Sequence, residues 1–155
     1  MERTLFMNPS SYLADVCNSL GHNLHRIGQL TREETNKVLK PYDLTPEQWQ
    51  MLAVLYKTNG VTPTELGEIT LRDKTTISRI LPGLFKKGFI YKEAHPQDSR
   101  SYVVKLVDQY QSMVEESLMK IREHYQTSFF APLSKDEQQQ LLQLLVKLRK
   151  GVGDL

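Results

Sequence analysis

The chain has 155 residues with 20 Lys and Arg against 18 Asp and Glu, a formal charge of +2, and 39% hydrophobic residues. That length suits one domain with a single core and argues against a two-domain enzyme. No apolar run reaches the roughly 18 residues of a membrane span, Met1 to Pro9 lack a secretory signal's apolar stretch, and one cysteine cannot close an internal disulfide. A cytoplasmic protein without membrane contact is the expectation.

Asn8-Pro9-Ser10 opens the first predicted helix, with apolar residues recurring at Leu13, Val16, Cys17, Leu20, Leu24, Ile27, Val38 and Leu39. The pattern predicts one long amphipathic helix that stops near Lys40-Pro41, because proline disfavours helical geometry in the residue before it. Thr45-Pro46-Glu47-Gln48 and Thr62-Pro63-Thr64-Glu65 each place a hydroxyl cap, a proline at the first helical position and Gln or Glu three residues after the cap. Both read as capping boxes opening short helices. A third helix follows Asp73, which is placed to cap Thr75 or Thr76; it carries Ile77, Ile80, Leu81, Leu84 and Phe85 on one face and stops at Gly88.

Periodicity then changes. Phe89 to Glu93 and Ser101 to Leu106 are β-rich runs around a polar tip, Ala94 to Arg100, and predict a hairpin. From Asp108 a second long helix is expected to run to Phe130 and break at Ala131-Pro132. Ser134-Lys135-Asp136-Glu137 is a third capping box, opening a helix with Leu141, Leu142, Leu144, Leu145 and Leu148. The expected fold is mainly α with a small β-hairpin wing: a winged helix-turn-helix over 44–107, flanked by dimerisation helices over 1–43 and 108–155, intertwined as one domain.

Charge is unevenly spread. Leu71 to Lys105 holds eight basic and three acidic residues, a net +5, which leaves −3 for the rest of the chain. A basic segment on a neutral scaffold is the footprint of a polyanion-binding element. On the third helix Lys74, Thr75, Thr76, Ser78 and Arg79 lie on or beside the face opposite the apolar stripe, with Arg72 just before it; such donors suit a major groove and its phosphates. On the hairpin, Lys92 and Lys105 add charge. Asp98-Ser99-Arg100 places a carboxylate where it can hold the arginine extended towards a narrow, electronegative minor groove. These eleven residues are the candidate DNA-binding set.

The ordered set Leu44-Thr45-Pro46-Glu47-Gln48-Trp49, Leu66, Asp73-Lys74-Thr75-Thr76-Ile77-Ser78-Arg79, Lys87-Gly88-Phe89-Ile90 and Asp98-Ser99-Arg100-Ser101 leading to Leu106 resembles the MarR family of bacterial transcriptional regulators. The resemblance implies a homodimer held by the terminal helices, with the Asp73–Lys87 helix in the major groove of a pseudo-palindromic operator and Arg100 in the minor groove. It also implies repression relieved by an oxidant or by a small anionic or aromatic molecule, bound where the first long helix, the Trp49 helix and the Tyr110 helix meet. His22, Arg26, Tyr42 and Trp49 are the candidates for that pocket.

Two features depart from the family pattern. Pro82-Gly83 stands where a polar pair is usual, and since Pro82 cannot donate to the Ser78 carbonyl, the third helix is expected to kink or end its regular ladder there. Leu106-Val107-Asp108 replaces Leu-Thr, which predicts Asp108 as the cap of the following helix. Cys17, on the apolar stripe, reads as core rather than as a sensor thiol. His22 and His25 lack the further ligands a metal needs, and no cofactor motif or catalytic constellation is present. The reading from a different class is a helical protein-interaction module whose basic face docks on an acidic protein.

Overall fold

The computed structural model describes residues 14–154. After a helical turn over 14–17, its elements are α1 (Leu20–Leu39), α2 (Pro46–Lys57), α3 (Pro63–Thr70), α4 (Lys74–Lys86), β1 (Ile90–Ala94), β2 (Tyr102–Leu106), α5 (Gln111–His124) and α6 (Lys135–Gly151). The mainly helical winged-helix architecture expected from the sequence is the one observed.

Local chemistry sets the boundaries. Thr45, Thr62 and Ser134 each cap their helix through a complete reciprocal box with Gln48, Glu65 and Glu137. Asp73 caps α4 by accepting from the Thr76 backbone N–H at 2.8 Å. The hairpin pairs Ile90 with Leu106 and Ala94 with Tyr102, and an isolated bridge from Val61 to Val104 ties β2 back to the loop before α3. The core runs from Leu44 through Met51, Leu52, Leu66, Ile77, Leu84 and Val104 to Leu106, with Val114 of α5 closing it from one side.

Several boundaries differ from expectation. The first long helix is interrupted: Ser19 accepts from His22 N–H and donates to the Val16 carbonyl, and Asn23 donates to the carbonyls of Cys17 and Ser19. Two short polar side chains there compete with the helical ladder. Its predicted start at Asn8 to Ser10 lies outside the described residues. Cys17, expected in the core, is exposed, because among the described residues no other element covers the apolar stripe of this segment.

The Asp108–Phe130 helix is three pieces: a 3-10 turn Asp108–Tyr110, α5, and a π-helical turn Tyr125–Phe129 closed by Phe130 N–H on the Tyr125 carbonyl at 2.8 Å. Asp108 makes no side-chain cap; it is the first residue of the 3-10 turn, preceded by Val107 in extended geometry. Helix α4, by contrast, runs through Pro82 to Lys86 without ending. Ile77 and Leu81 before or beside the proline and Leu84 after it are all buried, so packing holds the helix together across the missing donor.

Candidate nucleic-acid interface

Helices α3 and α4 meet at a tight corner. Leu71 caps α3 in the left-handed region (φ 55°), its N–H directed at the carbonyls of Glu68 and Gly67, and Arg72 N–H donates to the Gly67 carbonyl at 2.8 Å. A Cβ on Gly67 would stand 2.8 Å from the Arg72 carbonyl oxygen, so this corner demands glycine. Arg72 is locked there by Nε and Nη2 hydrogen bonds to Gln50 Oε1 at 3.2 and 2.9 Å.

The corner aims α4 outward. Lys74, Thr75, Ser78 and Arg79 are exposed, whereas the Thr76 hydroxyl is committed to Asp73 Oδ2 at 2.8 Å. The Thr76 backbone N–H, and then its hydroxyl, hold the Asp73 carboxyl below the usual aspartate range, so the cap is an anion at neutral pH. Across from α4 stands the wing. Lys74 and Ser78 share the walls of one groove of about 840 Å³ with Arg72 and with Arg100, Ser101 and Tyr102 of the wing.

Wing residues play different parts from those their charges suggest. Asp98 Oδ1 accepts from the Arg100 backbone N–H at 3.0 Å and its carbonyl accepts from Ser101 N–H at 3.0 Å, so Asp98 shapes the turn and does not grip the guanidinium. Ser99 and Arg100 are exposed at the tip. Lys92 lies over the rings of Phe85 and Tyr102, 5.1 and 4.6 Å from their centroids, which anchors β1 to the end of α4. Lys105 pairs with Glu93 at 2.9 Å, an interaction that holds its ammonium above the usual lysine range, and its stem packs over Gly60.

Of the pocket candidates, Trp49 Nε1 donates to Ser117 Oγ at 2.9 Å and Tyr42 donates to Glu116 Oε1 at 3.2 Å, which joins both to α5. His22 and Arg26 are exposed on α1, Arg26 reaching Gln29 and Glu33 on its own helix. No hydrogen bond or ion pair links these four side chains to one another among the described residues. No group of three or more His, Cys, Asp or Glu suited to a metal occurs among the described residues.

Contacts between elements escaped the sequence reading. Arg32 of α1 grips Glu47 of α2 through two hydrogen bonds of 2.9 and 3.3 Å. Tyr125 donates to the Thr31 carbonyl and shares a bond with the Thr35 hydroxyl, and His124 meets Glu34 at 2.8 Å. Partners 15 and about 90 positions apart leave no local periodic signal.

Residues 42–101 match the model of the MarR family. An HTH-type transcriptional regulator of Bacillus cereus is 30% identical over 128 residues, covering 82% of this chain and 84% of the relative. The chain belongs to the MarR family. The multiple antibiotic resistance protein MarR of Escherichia coli is 27% identical over 92% of this chain and 99% of its own length. Among solved structures, a probable transcriptional regulator from Pseudomonas aeruginosa has a TM-score of 0.76 at 31% identity, covering 84% of this chain and 97% of that one. A mutant Escherichia coli MarR complexed with operator DNA has a TM-score of 0.78 at 27% identity, covering 83% and 92%. The chain is thus a MarR-family transcriptional regulator and not an enzyme, and no helix among its described residues is long and apolar enough to cross a membrane.

Proposed function

We propose that this protein is a homodimeric, cytoplasmic repressor that binds a pseudo-palindromic operator in double-stranded DNA. The carrying observation is the placement of Lys74 and Ser78 of α4 and Arg100 of the wing on one groove, so that a helix and a loop face the same ligand. In this reading α4 lies in the major groove, with Lys74, Thr75, Ser78 and Arg79 at base edges or phosphates, and Ser99 and Arg100 reach the adjacent minor groove. Arg72, Thr76, Lys92, Asp98 and Lys105 position these contacts. The operator complex of the similar Escherichia coli protein supports operator DNA as the ligand.

Dimerisation is supported by apolar side chains that the single chain leaves open: Leu142, Leu144 and Leu148 of α6 are each more than half exposed, as is Leu20 of α1. Release by a small anionic or aromatic molecule near His22, Arg26, Tyr42 and Trp49 completes the reading; Tyr42 and Trp49, joined to α5, stand where such a molecule would alter the angle between the winged unit and the terminal helices.

A binding titration tests the proposal, comparing duplex from upstream of the protein's own coding region with a scrambled duplex of equal composition at several salt concentrations. The expected outcome is preference for the upstream duplex, with log affinity falling linearly in log salt at roughly −0.9 per neutralised phosphate. Binding to neither duplex at any salt, with capture of an acidic protein instead, would replace this reading by the interaction module.

A further inference from the structure

A second cleft borders α4, and no wing residue contributes to its walls. Arg32 of α1, Arg72 of the corner and Arg79 of α4 line it together with Glu47, Gln48 and Gly83, in a volume of about 330 Å³. Three guanidinium groups thus share the cleft with one carboxylate. Glu47 occupies the fork of Arg32 at 2.9 and 3.3 Å, while the partner of Arg72 is the neutral amide of Gln50, so Glu47 is the single carboxylate among the cleft-lining residues against three arginines, with the Asp73 carboxylate just outside on Thr76.

Backbone geometry keeps the cleft open. A Cβ on Gly83 would lie 3.0 Å from Gln48 Nε2, so a side chain there would crowd the Gln48 amide on the cleft wall. Gln48 cannot readily turn aside, because its Oε1 accepts from Thr45 N–H in the capping box. The Pro82-Gly83 departure from the family pattern therefore falls on the helix that forms this wall, and its glycine is what lets α4 approach α2 beside the three arginines.

We propose that this cleft takes a phosphate of the DNA backbone and that Arg32, contributed by the helix outside the winged unit, is a phosphate-binding residue. The inference rests on the DNA-binding reading above. Thr76 and Arg79 line the cleft and belong to the part of α4 that enters the major groove in that reading, and a helix in that groove has a phosphate strand on each side. Planar guanidinium forks suit a tetrahedral oxyanion, and an open surface cleft suits a phosphate that stays attached to a polymer. Because α1 is one of the proposed dimerisation helices, a phosphate on Arg32 would link operator binding directly to the spacing of the two half-sites.

The test measures fluorescence anisotropy of the full-length protein with the upstream and scrambled duplexes across a salt series, for wild type, Arg32→Gln, Arg32→Lys and Glu47→Gln. Arg32→Gln is expected to weaken both duplexes by the same factor and to reduce the steepness of log affinity against log salt by about 0.9. Arg32→Lys should restore that steepness. Glu47→Gln removes the carboxylate that competes for the fork, and is expected to tighten both duplexes and steepen the dependence. Arg32→Gln and Glu47→Gln break the same ion pair, so a merely structural role would move them in the same direction; that result, confirmed by matching losses in thermal unfolding, overturns the proposal.

Wild type that binds neither duplex would sink the DNA-binding reading itself. Wild type that binds with steep salt dependence, beside an Arg32→Gln variant that binds identically, would overturn only the assignment of Arg32. Inorganic phosphate that raises the melting temperature of wild type but not of Arg32→Gln, with duplex affinity unchanged by the substitution, would make the cleft a free-anion site and also overturn the proposal.

Discussion

The winged unit and the terminal helices use the same vocabulary of capped amphipathic helices, but α6 and the start of α1 leave their apolar faces open among the described residues. Met51, Leu52, Leu66, Leu84 and Val104 are fully buried in one core cluster. Helix α6 has an equally sound capping box and a leucine every three or four residues, yet none of its residues is buried. An apolar stripe shows that a helix must be covered; it does not say by what. For 44–106 the cover comes from the winged unit itself and from α5, whereas among the described residues nothing covers the exposed leucines of α6 or Leu20 of α1, which is the ground for proposing a second copy.

Removing the uncovered region should have the largest effect. Truncation after Pro132 deletes α6 and its exposed leucines; light scattering should then show monomer or aggregate in place of dimer. Operator affinity should fall by roughly 10²–10⁴, the loss expected when two half-site contacts cease to be linked. A truncated chain that remains a folded dimer with unchanged affinity would refute the terminal-helix interface.

The opposite perturbation touches only the winged unit. Arg100→Ala removes an exposed wing-tip side chain and no core atom, and should weaken operator binding by on the order of 1–3 kcal/mol with unfolding unchanged. Asp98→Ala should cost less affinity but loosen the tip, since Asp98 holds the backbone of Arg100 and not its guanidinium. Equal affinity losses from the two would mean that orientation, not contact, is what Arg100 contributes.

The two regions also differ in how legible they were. Caps, prolines and glycines are local signals, so sequence places the three helices and the hairpin between Thr45 and Leu106 within a residue or two. The long helices look unbroken in sequence because their stripe continues; the interruptions come from Ser19 and Asn23 turning onto the backbone and from a widened turn ahead of Pro132. Within the proposed interface, charge picks out a surface but cannot assign roles. Lys92 stacked on two rings and Lys105 paired with Glu93 look the same in sequence as the exposed Lys74. Arg32 leaves no local signal in the sequence, because its partner Glu47 and its cleft are set by packing between helices.

Stability of the α3–α4 corner gives a smaller and more local contrast. Gly67→Ala would press a methyl against the Arg72 carbonyl, with little room to yield since both ends are backbone, and should destabilise the fold by about 2 kcal/mol in urea unfolding. Four residues on, Leu71 has the reverse problem: a branched-chain residue in the left-handed region, 66% exposed, with little burial to lose. Leu71→Asn should stabilise by about 1 kcal/mol, because asparagine tolerates that conformation. If both substitutions prove neutral, the corner is looser than the hydrogen bonds on Gly67 indicate.

The smallest effect separates the charged cap of α4 from the hydroxyl caps of α1, α2, α3 and α6. The Asp73 carboxyl is held below its ordinary value by the Thr76 backbone N–H and then by the Thr76 hydroxyl. A folded-state value lower than the unfolded one stabilises the fold fully above the ordinary aspartate value of about 4, and this contribution disappears as pH falls through the lower, folded value. Asp73→Ser keeps a cap without a titrating group. Glu47 and Glu65 are depressed too: partial burial pushes Glu47 up, but its bonds with Arg32 and its own backbone outweigh that, while Glu65 is held down by Thr62. Both variants should therefore lose stability in acid. The difference between their urea midpoints isolates Asp73: small at neutral pH, and shifting in favour of the serine variant as pH drops below about 4. A difference that stays constant down to the acid transition would show that the Asp73 carboxylate does not hold the first turn of α4 through these hydrogen bonds.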